Sequence, residues 1–101
     1  MVVVVKNKNS VYPKSLSEWL SQSMNRNGLR CAHIASRTGL SHNTIKGYLK
    51  AEYDPKLSNL LALVEVIANA ENRSPRQVLF EVLLCIPEMQ YAEERWRRQS
   101  N

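Results

Sequence analysis

Glycine and proline are scarce in this sequence, three and four among 101 residues, and cysteine is scarcer still at two. So little backbone punctuation argues against long disordered tracts. Cys31 and Cys85 stand far apart, without the paired spacing of a zinc site, and each falls among apolar residues of an expected helix. Both are read as buried free thiols; neither a disulfide framework nor a metal centre is implied, and no other cofactor is expected. The opening run, Met1 to Val5, lacks the length of a membrane span and has neither the preceding charge nor the cleavage signal of a leader. The protein is therefore expected to be cytoplasmic. The acidic residues are scattered, and Glu93-Glu94, the one adjacent pair, would point to different sides of a helix. With no Ser/His/Asp order that the expected fold would gather and no glycine-rich phosphate loop, an enzyme finds little support.

What the chain does have is an uneven excess of positive charge. Its net charge is +5, which by itself suits nucleic acid, an anionic membrane surface, or nothing in particular. From Met1 to Lys56 nine Lys or Arg face Glu18, Glu52 and Asp54, a balance of +6, whereas from Leu57 onward five Arg face six Glu, a balance of −1. The basic excess sits in the first half; the remainder reads as scaffold or interaction surface.

Hydrophobic periodicity predicts a chain of helices. Val2 to Val5 have high β-propensity and supply at most one short strand, whose open edge would need a partner; 1–14 is read as this strand and a linker. Ser15-Leu16-Ser17-Glu18 has the form of a capping box, and Leu16, Trp19, Leu20 and Met24 follow on one face before Gly28. A short helix over about Arg30 to Arg37 buries Cys31, Ile34 and Ala35 and stops at Gly39. Ser41 caps the next, which runs to about Ala51 with Ile45, Tyr48 and Leu49 as its apolar face. After Pro55, the repeat Leu57, Leu60, Leu61, Val64, Ile67 predicts a central core helix. Ser74-Pro75 opens an apolar helix to about Cys85. Pro87 interrupts it, and a last helix from Glu88 aligns Met89, Ala92 and Trp96. Trp19 and Trp96 are expected to pack. The organisation is thus 1–14, a helical domain over 15–86, and a C-terminal helix over 87–101.

The stretch from Leu29 to Leu49 carries the function. Ala35 lets two helices approach, Gly39 turns between them, and Ile45 and Tyr48 anchor the second on the first. Such a unit can place the start of its second helix in the major groove, where Asn pairs bidentately with adenine and a basic side chain with guanine. Asn43 is the best adenine reader. His42 and Thr44 stand beside it, and Lys46, one turn on, reaches either a base edge or a phosphate. Arg30, Ser41, Lys50 and Lys56 flank the unit as phosphate contacts, which set register rather than specificity.

These residues resemble the phage-repressor-like (XRE) helix-turn-helix regulators, which include the repressor and Cro proteins of temperate phages. The resemblance runs from Leu29 to Ile67 and rests on Ile34-Ala35, Gly39-Leu40-Ser41, Thr44-Ile45, Pro55 and Leu57/Leu60-Leu61. It implies a lambda-repressor-like all-α bundle, here with a short N-terminal strand and an extra C-terminal helix. It also implies dimeric binding to a near-palindromic operator and a role in transcriptional control, as in a phage or mobile-element regulator. Three positions depart from the family pattern: Cys31 where Gln is usual, Leu49 where Glu is frequent, and Ala51 where Gly often closes the helix.

The expected function is a DNA-binding regulator, a homodimeric repressor that occupies double-stranded DNA and excludes polymerase. The expected dimer surface is apolar: Leu83, Met89 and Trp96 in the C-terminal helices, with Val3 and Val5 of the strand as an addition. Two alternatives stay open. One is an antitoxin or other interaction module that binds a protein partner and its own promoter; the other is an enzyme or nuclease.

Overall fold

The computed structural model describes residues 13–100, and throughout them the regular structure is α-helical. The valine strand, and with it Val3 and Val5, lies outside the described residues. Six helices follow in order: α1 Leu16–Asn27, α2 Cys31–Thr38, α3 His42–Leu49, α4 Leu57–Glu71, α5 Pro75–Cys85 and α6 Pro87–Ser100. No helix among the described residues is long and apolar enough to cross a membrane.

Each helix start is set by local chemistry. Ser15 Oγ accepts from the Glu18 amide at 3.2 Å, as the capping sequence predicts. The Glu18 carboxylate, however, accepts from the Lys14 amide at 2.7 Å, so the box closes one residue upstream of the cap. Ser74 caps α5, with Pro75 at its first position and the Gln77 side chain returning to the Ser74 amide. The last helix begins at Pro87, one residue before the sequence suggests, because proline is tolerated where the N–H has no partner to lose.

Helix ends reuse one device. After α1, Gly28 is left-handed at φ 65°, its amide donating to the Asn25 carbonyl and the Leu29 amide to that of Met24. After α4, Asn72 takes φ 56° with the matching pair of bonds, Asn72 to Asn69 and Arg73 to Ala68. After α3, Ala51 does so at φ 60°, with Ala51 donating to Tyr48 and Glu52 to Gly47. This is the Schellman reversal, and it satisfies carbonyls the helix leaves orphaned. An alanine there is strained, since its Cβ crowds the carbonyl in the left-handed region. Ala51→Gly is therefore expected to raise stability by about 1 kcal/mol, or ~4–8 °C in Tm for a domain this size. Thermal unfolding followed by circular dichroism would measure it, and an unchanged or lower Tm would remove the strain argument.

The core is drawn from five helices. Trp19, Leu20 and Met24 of α1, Ile34 of α2, Ile45 and Tyr48 of α3, six residues of α4, and Val78, Val82 and Cys85 of α5 are buried together. The long α4 lies at the centre, packed by α1, α2 and α5, while α2 and α3 pack on each other and α3 also meets α1. Burial pushes the Cys85 thiol up, so it is an inert packing group that donates to the Val82 carbonyl.

A polar clasp closes one end of this core. Glu71, at the last turn of α4, accepts from Arg26 Nε at 2.9 Å, from Asn27 Nδ2 at 2.7 Å and from Arg73, and Arg73 also reaches Glu81 on α5. The clasp therefore joins the ends of α1 and α4 to α5. Burial alone would raise the Glu71 carboxyl, but the hydrogen bonds from Asn27, Arg26 and Arg73 prevail and hold it below its ordinary value.

Several apolar residues face outward. Leu57 and Leu61 are exposed, because α4 turns its burial toward Leu60, Leu63, Val64 and Ile67. Phe80 and Leu84, at i and i+4 on α5, are both mostly exposed, at 62% and 60%. Every described side chain of α6 from Pro87 to Gln99 is exposed, Met89 and Trp96 included, so Trp96, which the sequence expects to pack, does not enter this core. Leu83 is half-buried, and so is Cys31, for which the sequence predicts full burial.

Candidate nucleic-acid interface

The connection between α2 and α3 is three residues, Gly39, Leu40 and Ser41. Gly39 adopts φ 81° with its amide on the Ala35 carbonyl, a conformation open to glycine at no steric cost. Thr38 braces the turn from inside: its hydroxyl donates to the Ile34 carbonyl at 2.7 Å and accepts from the Leu40 amide at 3.1 Å. Ser41 then accepts from the Thr44 amide at 3.0 Å, fixing where α3 starts.

Ile45 and Tyr48 seat α3 in the core, both buried. Tyr48 is held at its far end too, since its hydroxyl accepts from Asn59 Nδ2 of α4 at 3.0 Å. The opposite side of the helix is outward. His42, Asn43, Lys46 and Lys50 are all exposed, and Asn43, Lys46 and Lys50 fall at i, i+3 and i+7, one stripe along the helix.

The remaining expected contacts divide. Thr44 is half-buried and its oxygen accepts the Ser41 hydroxyl proton at 2.9 Å. The Ser41 hydroxyl is thus engaged twice in the cap, which leaves the His42 and Asn43 amides as the donors an anion would meet at this end. Arg30 stands at the N-cap of α2, exposed and making no side-chain cap bond. Lys56, exposed, stands at the N-cap of α4. Among the described residues the ion pairs are Arg26 with Glu71, Arg73 with Glu71 and Arg73 with Glu81. Arg30, Lys46, Lys50 and Lys56 enter none of them.

Two residues outside the expected contact set belong to this surface. Gly47 lies inside α3 at i+4 from Asn43, where glycine costs roughly 1 kcal/mol against alanine. Tyr53 occupies the space a side chain there would need: a Cβ built on Gly47 falls 2.8 Å from Tyr53 Cε1 and nearer still to its Cζ and hydroxyl oxygen. The Tyr53 hydroxyl donates to the Asn43 carbonyl at 3.3 Å, and its ring meets Tyr48 edge-on, centroids 5.6 Å apart. A glycine inside an otherwise regular helix was the available signal.

No three His, Cys, Asp or Glu side chains gather among the described residues where a metal ion could be held. No family model, no curated protein and no solved structure matches the chain.

Proposed function

We propose that the protein is a sequence-specific DNA-binding regulator in which α2 and α3 form a helix-turn-helix. The observation that carries this reading is the outward stripe of α3. A short capped helix, locked to the core by Ile45 and Tyr48, presents His42, Asn43, Lys46 and Lys50, with no carboxylate paired to its lysines among the described residues. Asn43 reads a base, His42 and Thr44 adjoin it, and Lys46 reaches base or phosphate. Arg30, Lys50 and Lys56, with the first turn of α3, hold the backbone. The +6 balance up to Lys56 supports the same assignment.

The protein binds as a homodimer and represses by occupancy. The support for a dimer is the apolar area left outside the core, Phe80 and Leu84 on α5 with Met89, Tyr91 and Trp96 on α6. That same area favours one alternative, an antitoxin-like module whose partner is another protein.

Selection of bound fragments from random duplex DNA tests the main reading. The expected product is a near-palindrome with half-sites about one helical turn apart. On it, Asn43→Ala is expected to cost ~1–3 kcal/mol and relax one base position, whereas Lys50→Ala weakens all sequences alike and flattens the salt dependence. Recovery of no common sequence defeats specific binding, and equal loss on chosen and random DNA from Asn43→Ala removes that residue as the reader.

A further inference from the structure

Within α3, glycine is the residue least suited to a regular helix, yet Gly47 has ordinary helical surroundings rather than a positive φ, so no turn requires it. What requires it is Tyr53. The Schellman reversal at Ala51, with the Glu52 amide on the Gly47 carbonyl, folds the chain back along α3. The Tyr53 ring then lies close enough on the helix to bury Gly47 and to reach the Asn43 carbonyl.

This location has a consequence for recognition. Asn43, Gly47 and Lys50 fall at i, i+4 and i+7, so the ring stands on the stripe that carries Asn43. It is 49% exposed, and its hydroxyl bond and the perpendicular contact with the Tyr48 ring fix its orientation. With the hydroxyl proton given to the Asn43 carbonyl, the ring has no donor left to offer and presents its carbon atoms and an oxygen that can only accept. In the major groove the carbon feature of a base edge is the thymine C5 methyl.

Resting on the DNA-binding reading above, we infer that Tyr53 is a base-reading residue supplied from the loop. It takes the place of the side chain that Gly47 lacks and meets a thymine methyl beside the base read by Asn43. The ring is a rigid apolar surface already ordered before DNA arrives, so its contact costs little further conformational entropy.

The test replaces thymine by deoxyuridine, one position at a time, in the duplex selected by the wild-type protein, which removes only the methyl. Wild type is expected to lose about fivefold in affinity at one position next to the Asn43 base, a modest value for one buried methyl. Tyr53→Ala is expected to bind the thymine site about fivefold more weakly and to be indifferent to the deoxyuridine exchange at that position. Tyr53→Phe should keep the sensitivity. Gly47→Ala, which expels the ring while improving helix propensity, should behave as Tyr53→Ala even if the latter folds poorly; circular dichroism checks both. A wild-type protein that selects a site, but whose methyl sensitivity persists unchanged in Gly47→Ala and Tyr53→Ala, overturns the role of Tyr53 and leaves DNA binding standing. A wild-type protein that selects no site overturns DNA binding itself, whereas Gly47→Ala would still release the Tyr53 ring, seen as altered Tyr53 and Asn43 resonances in NMR.

Discussion

Ile67→Ala is expected to lower the free energy of unfolding by about 3–4 kcal/mol, while Leu61→Ala, on the same helix, costs under about 1 kcal/mol. Ile67 is fully buried on α4, where α1, α2 and α5 converge, and its truncation leaves a cavity that close-packed neighbours only partly fill. Leu61 is 42% exposed and loses little on truncation. A domain of this length has roughly 5–15 kcal/mol in total, so the first change removes a large fraction of it, from about a fifth up to most. Urea unfolding of the two variants measures the contrast. Equal losses would mean that α4 buries a different face.

Glu71→Gln is expected to cost about 2 kcal/mol at neutral pH and to flatten the acid side of the stability profile. Glu71 is one-tenth exposed and takes hydrogen bonds from Arg26 and Asn27 at the end of α1 and from Arg73 in the loop after α4, so losing its charge weakens several charge-assisted bonds at once. The magnitude stays below that of a fully buried pair because Arg26 and Arg73 are half and one-third exposed, and water can take them back. The sign follows from the carboxyl being held below its ordinary 4.5 in the folded protein. Its contribution is complete above the ordinary value and is lost as the pH falls through the lowered folded one. The wild-type protein should therefore lose more stability than Glu71→Gln as the pH is brought from neutral into the acid range. Parallel profiles for the two would show that the clasp contributes nothing through this charge.

Elements that declare themselves through local chemistry are legible in the sequence. Ser15, Ser41 and Ser74 mark helix starts because a cap is a contact over three residues, and Gly28 and Gly39 mark ends because left-handed backbone selects glycine. The reversal at Ala51 was not legible from alanine itself, which disfavours left-handed backbone, and only the resemblance put it where Gly often closes the helix; Asn72 is a type that adopts that conformation more readily. Which side of an apolar helix is buried was likewise hidden. Val78 and Phe80 are alike in a row of hydrophobic residues, and only the placement of α4 buries the first and exposes the second. The Glu71 clasp joins Arg26 to a residue 45 positions along the chain, a separation at which charge pattern says nothing. At the interface, the stripe of Asn43, Lys46 and Lys50 could be read from helical spacing. Tyr53 could not, because its place depends on the strained Ala51 turn and the gap at Gly47 acting together.

The solvent-facing character of α6 bears on how the protein comes apart. Ile86 is extended, Pro87 brings no amide to the junction, and the helix meets the rest of the chain chiefly through α5. In the isolated chain, opening α6 exposes little that is not already wet, so its local free energy there lies well below that of global unfolding. The two tryptophans stand on opposite sides of that boundary, Trp19 buried in the core and Trp96 on α6.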